Sequence, residues 1–129
     1  MSEQLPQDLQ YTKSHEWVRA LPNGQVEVGI TDHAQSALGD LVFVEVPQAE
    51  RKLAVGEACA VVESVKAASD VYSPVAGRVL AGNAALSQQP ELLNSDPYGA
   101  GWLMRIELEG AAPALLSAGE YQQFLKESE

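Results

Sequence analysis

With 129 residues, 46% hydrophobic and 20% charged, the chain has the makeup of one ordinary globular domain spanning 1–129, able to bury a modest core but too short for two. Eighteen acidic against eight basic side chains leave a formal charge of −10, which excludes a nucleic-acid backbone as partner and suits brief, charge-aided encounters with other proteins. No apolar run approaches the roughly 18 residues of a membrane span, and the Met1–Pro6 start lacks the blocks of a secretory or organelle signal, so no membrane and a cytoplasmic location are expected.

Residues 1–9 read as a loose acidic lead-in, since Pro6 discourages regular structure. His15–Arg19 and Val26–Ile30 are strand-like, and the Asn23-Gly24 pair between them is a hairpin-turn signal. Thr31 or Asp32 offers an oxygen to the free amides of a short helix running to about Leu38, which Gly39 can end in a left-handed conformation. Leu41–Val46 is strongly β-prone, and alternation predicts Val42, Val44 and Val46 on its core face. Pro47–Val55 reads as a polar loop.

Two apolar-rich runs follow, Ala58–Val65 and Val71–Val75, with a short polar segment between them. That is the pattern of a hairpin with Lys66 at its tip. Small residues come next at Ala67, Ala68 and Ser69, so nothing bulky shields the amine from another protein. By composition alone such a lysine is a solvated surface residue. Cys59, the one cysteine, reads as a small apolar side chain within the first strand, with no thiolate-favouring neighbours.

Beyond Gly77, Arg78–Leu80 predicts a short strand, Gly82–Gln89 a loop, and Pro90–Asn94 a single helical turn with proline at its start. Asp96–Gly101 is rich in turn residues. In Trp102–Leu108 the apolar Trp102, Met104, Ile106 and Leu108 alternate with Leu103, Arg105 and Glu107. Ser117 and Glu120 have capping-box spacing, and Tyr121, Phe124 and Leu125 recur at helical spacing, which predicts a C-terminal helix over about 117–127 laid on a sheet. Short strands about ten residues apart give a mostly β sandwich or barrel with peripheral helices.

Several constellations do not carry chemistry. His15, Glu16, Asp32 and His33 are metal-ligand types, but they fall in adjacent pairs that strand alternation sends to opposite faces, so no metal site is expected. Ser64 has no nucleophile elbow around it. No glycine-rich phosphate loop exists, and Trp17 and Trp102 read as core or partner-facing aromatics.

The run Glu63-Ser64-Val65-Lys66-Ala67, followed by Ser69-Asp70-Val71-Tyr72-Ser73-Pro74-Val75-Ala76-Gly77, resembles the lipoyl-attachment hairpin of the H-protein family of the glycine cleavage system. The resemblance extends through Ser14–Val18, Gly29–Gln35, Leu38–Pro47, and Pro90–Asn94 with Asp96–Leu103, in that order. It implies a flattened lipoyl/biotinyl-type barrel-sandwich of two small antiparallel sheets, and a carrier that is no enzyme in its own right. Lys66 would bear lipoate, attached by a lipoate ligase or an octanoyl or lipoyl transferase reading Glu63, Ser64, Val65 and Ala67. The implied partners are a glycine decarboxylase (P protein), a tetrahydrofolate-dependent aminomethyltransferase (T protein) and dihydrolipoamide dehydrogenase (L protein). The first loads an aminomethyl group on the arm, the second removes it, and the third reoxidises the arm. The resemblance also assigns Ser14, Glu16 and Asp70 to docking of the loaded arm. A carrier that mainly relays lipoyl groups, or an unmodified β-sandwich interaction domain, are the alternatives. A biotin carrier fits less well, because methionines normally flank that lysine where Val65 and Ala67 stand here.

Overall fold

A computed structural model of the chain describes residues 6–110 and 115–127. In chain order, β1 (Gln10–Tyr11), β2 (Glu16–Leu21) and β3 (Gln25–Ile30) lead into α1 (Asp32–Leu38) and β4 (Leu41–Glu45). Then come β5 (Lys52–Leu53), β6 (Ala58–Ser64), β7 (Ala68–Tyr72) and β8 (Gly77–Gly82). The short helices α2 (Ala85–Gln88) and α3 (Leu92–Ser95), the strand β9 (Met104–Leu108) and the helix α4 (Ala118–Glu127) complete the order. One antiparallel sheet has six strands in the order β1-β2-β3-β9-β8-β5, and the other has three, β4-β6-β7.

Several local predictions hold for the reasons given. Asn23 and Gly24 both take positive φ, at 64° and 73°, the paired left-handed geometry that lets a tight turn follow the twist of its strands. Thr31, rather than Asp32, caps α1 by accepting from the Ala34 amide, and Gly39 closes it at φ 88° by donating to the Gln35 carbonyl. The capping box also forms: the Ser117 amide donates to Glu120 Oε1 at 2.9 Å, and the Glu120 amide to Ser117 Oγ at 3.2 Å.

The β4 prediction is corrected. Val44 is buried, but Val42 is 55% exposed and Val46 only partly buried. A bulge between Leu41 and Phe43 breaks the register against β6, so Leu41 and Val44 face the core and the extra residue turns outward. Elsewhere the differences are of extent. The second hairpin strand starts earlier and ends at Tyr72, before Pro74, whose missing amide cannot extend a ladder. The two-residue strand β1 follows directly on the stretch read as lead-in, β5 lies in the stretch read as loop, and α2 in the stretch read as loop after Gly82. The last strand begins at Met104, and Leu103 is fully buried despite its place on the polar phase. Residues 1–5 of the predicted lead-in lie outside the described residues, but Leu9 is buried against Tyr11, Trp17 and Tyr121.

The main core lies between the sheets, with Val28, Val62, Val75, Val79, Met104 and Ile106 nearly inaccessible. A second cluster of Leu9, Tyr11, Trp17, Ala118 and Tyr121 packs α4 onto β1 and β2, with Tyr11 and Tyr121 stacked at 4.8 Å. Across β2, β3 and β9 the buried Glu27 carboxylate joins Arg19 at 2.7 Å and Arg105 at 3.0 Å, a cross-strand charge row set by the sheet register. Cys59 is buried, and loss of solvent pushes its thiol up to about 12, which fits an inert core residue.

Candidate functional site

The β6–β7 hairpin pairs Glu63 with Ala68, Val62 with Ser69 and Val61 with Asp70. Ser64, Val65, Lys66 and Ala67 make the turn. Among the described residues the only non-glycine positive φ values belong to His15, Asn23 and Glu50, so this turn is not one of the mirror-image types that two-residue hairpins favour. Ser64 supplies what the backbone lacks. Its amide donates to the Ala67 carbonyl at 2.7 Å, and its hydroxyl accepts from the Lys66 and Ala67 amides at 3.2 and 3.1 Å. A serine at the first turn position closes a turn locally in this way.

Lys66 is exposed, and no salt bridge among the described residues engages it. Val65 beside it is 75% exposed. The register of β4 against β6 sets Phe43 opposite Glu63, and with the outward-turned Val42 it adds apolar surface next to the tip. Sequence reasoning missed this collar, because strict alternation had put Val42 in the core. Glu63 itself is half-buried in β6.

The three residues assigned to docking are not all in one place. Glu16 is 2% exposed. Its Oε1 accepts from Thr12 Oγ1 at 2.6 Å and Ser14 Oγ at 2.8 Å, while among the described residues Oε2 accepts only a long bond of 3.4 Å from the Tyr72 amide. Burial raises the Glu16 pKa, and these hydrogen bonds partly offset the rise. Ser14 and Glu16 border a cleft of about 280 Å³, walled by Val55, Tyr72, Pro74 and Leu116. Asp70 is exposed and lines a different groove, with Glu45 and Arg51. It still shares a face of β7 with Tyr72, two residues on, because side chains alternate along a strand. Thr12 was missed at the sequence level, although the i, i+2, i+4 spacing of Thr12, Ser14 and Glu16 was the available signal.

A left-handed residue explains how Glu16 reaches the interior. His15 sits at φ 71°, which turns its ring away from the cleft to α4, where Nδ1 is 2.7 Å from the Tyr121 hydroxyl. Its ring lies 4.7 Å from that of His33. Burial, followed by the charge of His33, lowers the His15 pKa. No group of three or more metal-ligating residues forms among the described residues.

The tip and the cleft lie at opposite ends of β7. Ala68 to Tyr72 is four strand residues, roughly 13 Å at the ordinary rise, and all the intervening outward-facing positions are open to solvent. The cleft lining is mostly apolar, with Thr12, Lys13 and Ser14 also part of it, and the Glu16 carboxylate borders it.

A family model described as glycine cleavage H-protein matches residues 9–128. The chain is 56% identical over 124 residues to the glycine cleavage system H protein of Halorhodospira halophila, covering 95% of each. It is 54% identical over 125 residues to that of Aeromonas hydrophila, covering 95% of this chain and 97% of the relative. The crystal structure of a glycine cleavage system H protein from Mycobacterium marinum superposes with a TM-score of 0.88 at 41% identity, covering 95% of this chain and 99% of that one. No helix among the described residues is long and apolar enough to cross a membrane. The chain belongs to the glycine cleavage H-protein family.

Proposed function

We propose that this chain is a single-domain, non-catalytic lipoyl carrier of glycine cleavage, with lipoate joined to Lys66 by an amide. The observation that carries this reading is the exposed Lys66, in no salt bridge among the described residues, at a serine-closed hairpin tip, in a chain that matches the H-protein family over most of its length. When bound, lipoate would supply at the end of the Lys66 arm a disulfide, one sulfur of which can accept an aminomethyl carbon and which the dihydrolipoamide dehydrogenase would re-form by oxidising the dithiol.

The chain's own residues do the rest. Lys66 presents the acyl chain on a turn that a ligase or an octanoyl or lipoyl transferase can read, with Glu63, Ser64, Val65 and Ala67 as its flanks. Val55, Tyr72, Pro74 and Leu116 exclude water from the hydrocarbon of a docked arm. Glu16 Oε2, which among the described residues makes only the long Tyr72 bond, accepts a hydrogen bond from the cationic amine of the cargo. Thr12 and Ser14 hold the other oxygen and fix the carboxylate. Asp70 lies between tip and cleft on β7 and meets the arm on its way.

A carrier visiting three enzymes needs weak contacts. Its acidic surface speeds encounter with the glycine decarboxylase, the aminomethyltransferase and the dihydrolipoamide dehydrogenase. Action in the cytoplasm belongs to the same proposal, supported by the bacterial origin of the two relatives. Intact-mass measurement of protein from lipoate-supplied cells tests the attachment. One lipoyl increment, absent in Lys66→Arg, is expected; no increment with a competent ligase present favours an unmodified interaction domain.

A further inference from the structure

Lys66 rests on a support that its own hairpin does not provide. The turn from α1 to β4 carries Gly39 at φ 88° and ψ −161°, a conformation that side-chain-bearing residues rarely adopt. With no side chain in the way, Lys66 Cε and Nζ lie 3.4 and 3.9 Å from where a Gly39 Cβ would stand. The next residue, Asp40, accepts the Val65 amide through its carbonyl at 3.3 Å, and Leu41 is paired with Ser64. The lysine-bearing tip is therefore tied to this turn on two sides.

The turn is in its turn locked from α3. Asn94 Oδ1 accepts from the Leu41 amide at 2.9 Å. Its Nδ2 donates to the Gly39 carbonyl at 2.9 Å and to Gln35 Oε1 at 2.8 Å. One side-chain amide thus spends its acceptor and both donors on the shelf under Lys66 and on the helix that leads into it, and water alone could satisfy those groups without fixing the turn.

We propose that Asn94 and Gly39 are positioning residues for acylation of Lys66, holding the tip in the presentation that the modifying enzyme recognises. The inference rests on the lipoyl-carrier reading. In the reaction, Nζ gives its proton to a base of the enzyme and its lone pair forms the C–N bond to the carbonyl of an activated acyl donor. The donor's acyl-phosphate or thioester bond breaks, and the leaving group departs with the electron pair. A lysine side chain is rich in rotamers, and small errors in placing a nucleophile cost rate steeply, so a pre-set tip favours this step.

The full-length protein, wild type, Asn94→Ala and Gln35→Ala, is acylated with purified lipoate ligase, ATP and lipoate, and kcat/KM for the carrier is measured. In parallel, Lys66 is acylated by a small activated ester and quantified by peptide mass, a reaction that needs a free amine but no presentation. Enzymatic kcat/KM is expected to fall about tenfold in Asn94→Ala and less in Gln35→Ala, with the small-reagent rate unchanged. A folded Asn94→Ala acylated enzymatically at the wild-type rate overturns the proposal, and so does a parallel fall in both rates. If Asn94→Ala does not fold, Gln35→Ala decides, with a wild-type rate overturning it. Wild-type protein that takes no acyl group, or takes it equally as Lys66→Arg, instead overturns the carrier reading itself.

Discussion

Replacing Glu16 by glutamine keeps the shape of the cleft and removes its charge. Glu16 is 2% exposed and its Oε1 is held at 2.6 and 2.8 Å by two hydroxyls, while among the described residues Oε2 has only a 3.4 Å partner. A cationic amine docking there gains a hydrogen bond to a charged group, worth about 1.5–3 kcal/mol net. That corresponds to a factor of about ten to one hundred in the docked fraction of the arm. Only an undocked arm exposes its cargo to water, so loss of the aminomethyl group from the loaded carrier should quicken by the same factor in Glu16→Gln. Timed intact-mass measurement of loaded carrier, in the absence of partner enzymes, follows this directly. Lipoylation of Lys66 should be unimpaired. The two rates should converge as pH falls, at a higher pH than an ordinary carboxyl would give, because burial raises the Glu16 pKa. A fully lipoylated Glu16→Gln that loses its cargo at the wild-type rate refutes the reasoning.

Other expectations follow from the same contacts. Because the folded pKa of Glu16 is raised, its contribution to stability is fully present below the ordinary glutamate value of about 4.3 and is lost as pH rises through the folded value. The Tm of Glu16→Gln relative to wild type should therefore rise from acid to neutral pH, and a flat difference would contradict the burial argument. His15 has the opposite sign: its pKa is lowered, so stability present above about pH 6.5 is lost as pH falls toward the folded value. In His15→Asn that acid loss should shrink, as read by Tm across pH. A Cβ at Gly29 would sit 2.6 Å from the buried Trp17 ring, so Gly29→Ala should cost about 1–3 kcal/mol in urea unfolding. Ser117→Ala removes one half of the capping box and should cost about 1 kcal/mol in the same assay.

The hairpin, the Asn23-Gly24 turn, the α1 cap and the capping box of α4 were legible because each rests on neighbours in sequence. An Asn-Gly pair at 23 and 24, a glycine at 39 and a Ser117–Glu120 pair state their geometry within a few residues. What was not legible depends on partners far along the chain. The bulge in β4 arises from pairing with β6 and turns Val42 outward, against the alternation. Two-residue strands such as β5 exist only because β8 lies beside them. The inward turn of Glu16 follows from the left-handed residue His15 and the approach of Tyr72 from β7, and the approach of His15 to His33 from the packing of α1 beside it. The same applies to Asn94, whose three bonds reach residues more than fifty positions away. Ser14 with Glu16 could have been paired by spacing, whereas the separate groove beside Asp70 could not.

The most direct trial of the account is reconstitution. Lipoylated protein is added to glycine decarboxylase, aminomethyltransferase and dihydrolipoamide dehydrogenase from an organism whose own carrier has been removed, and glycine-dependent release of carbon dioxide is followed. Activity should scale with added carrier and vanish in Lys66→Arg. Activity that persists in Lys66→Arg, or a fully lipoylated wild-type protein that restores none, would contradict it.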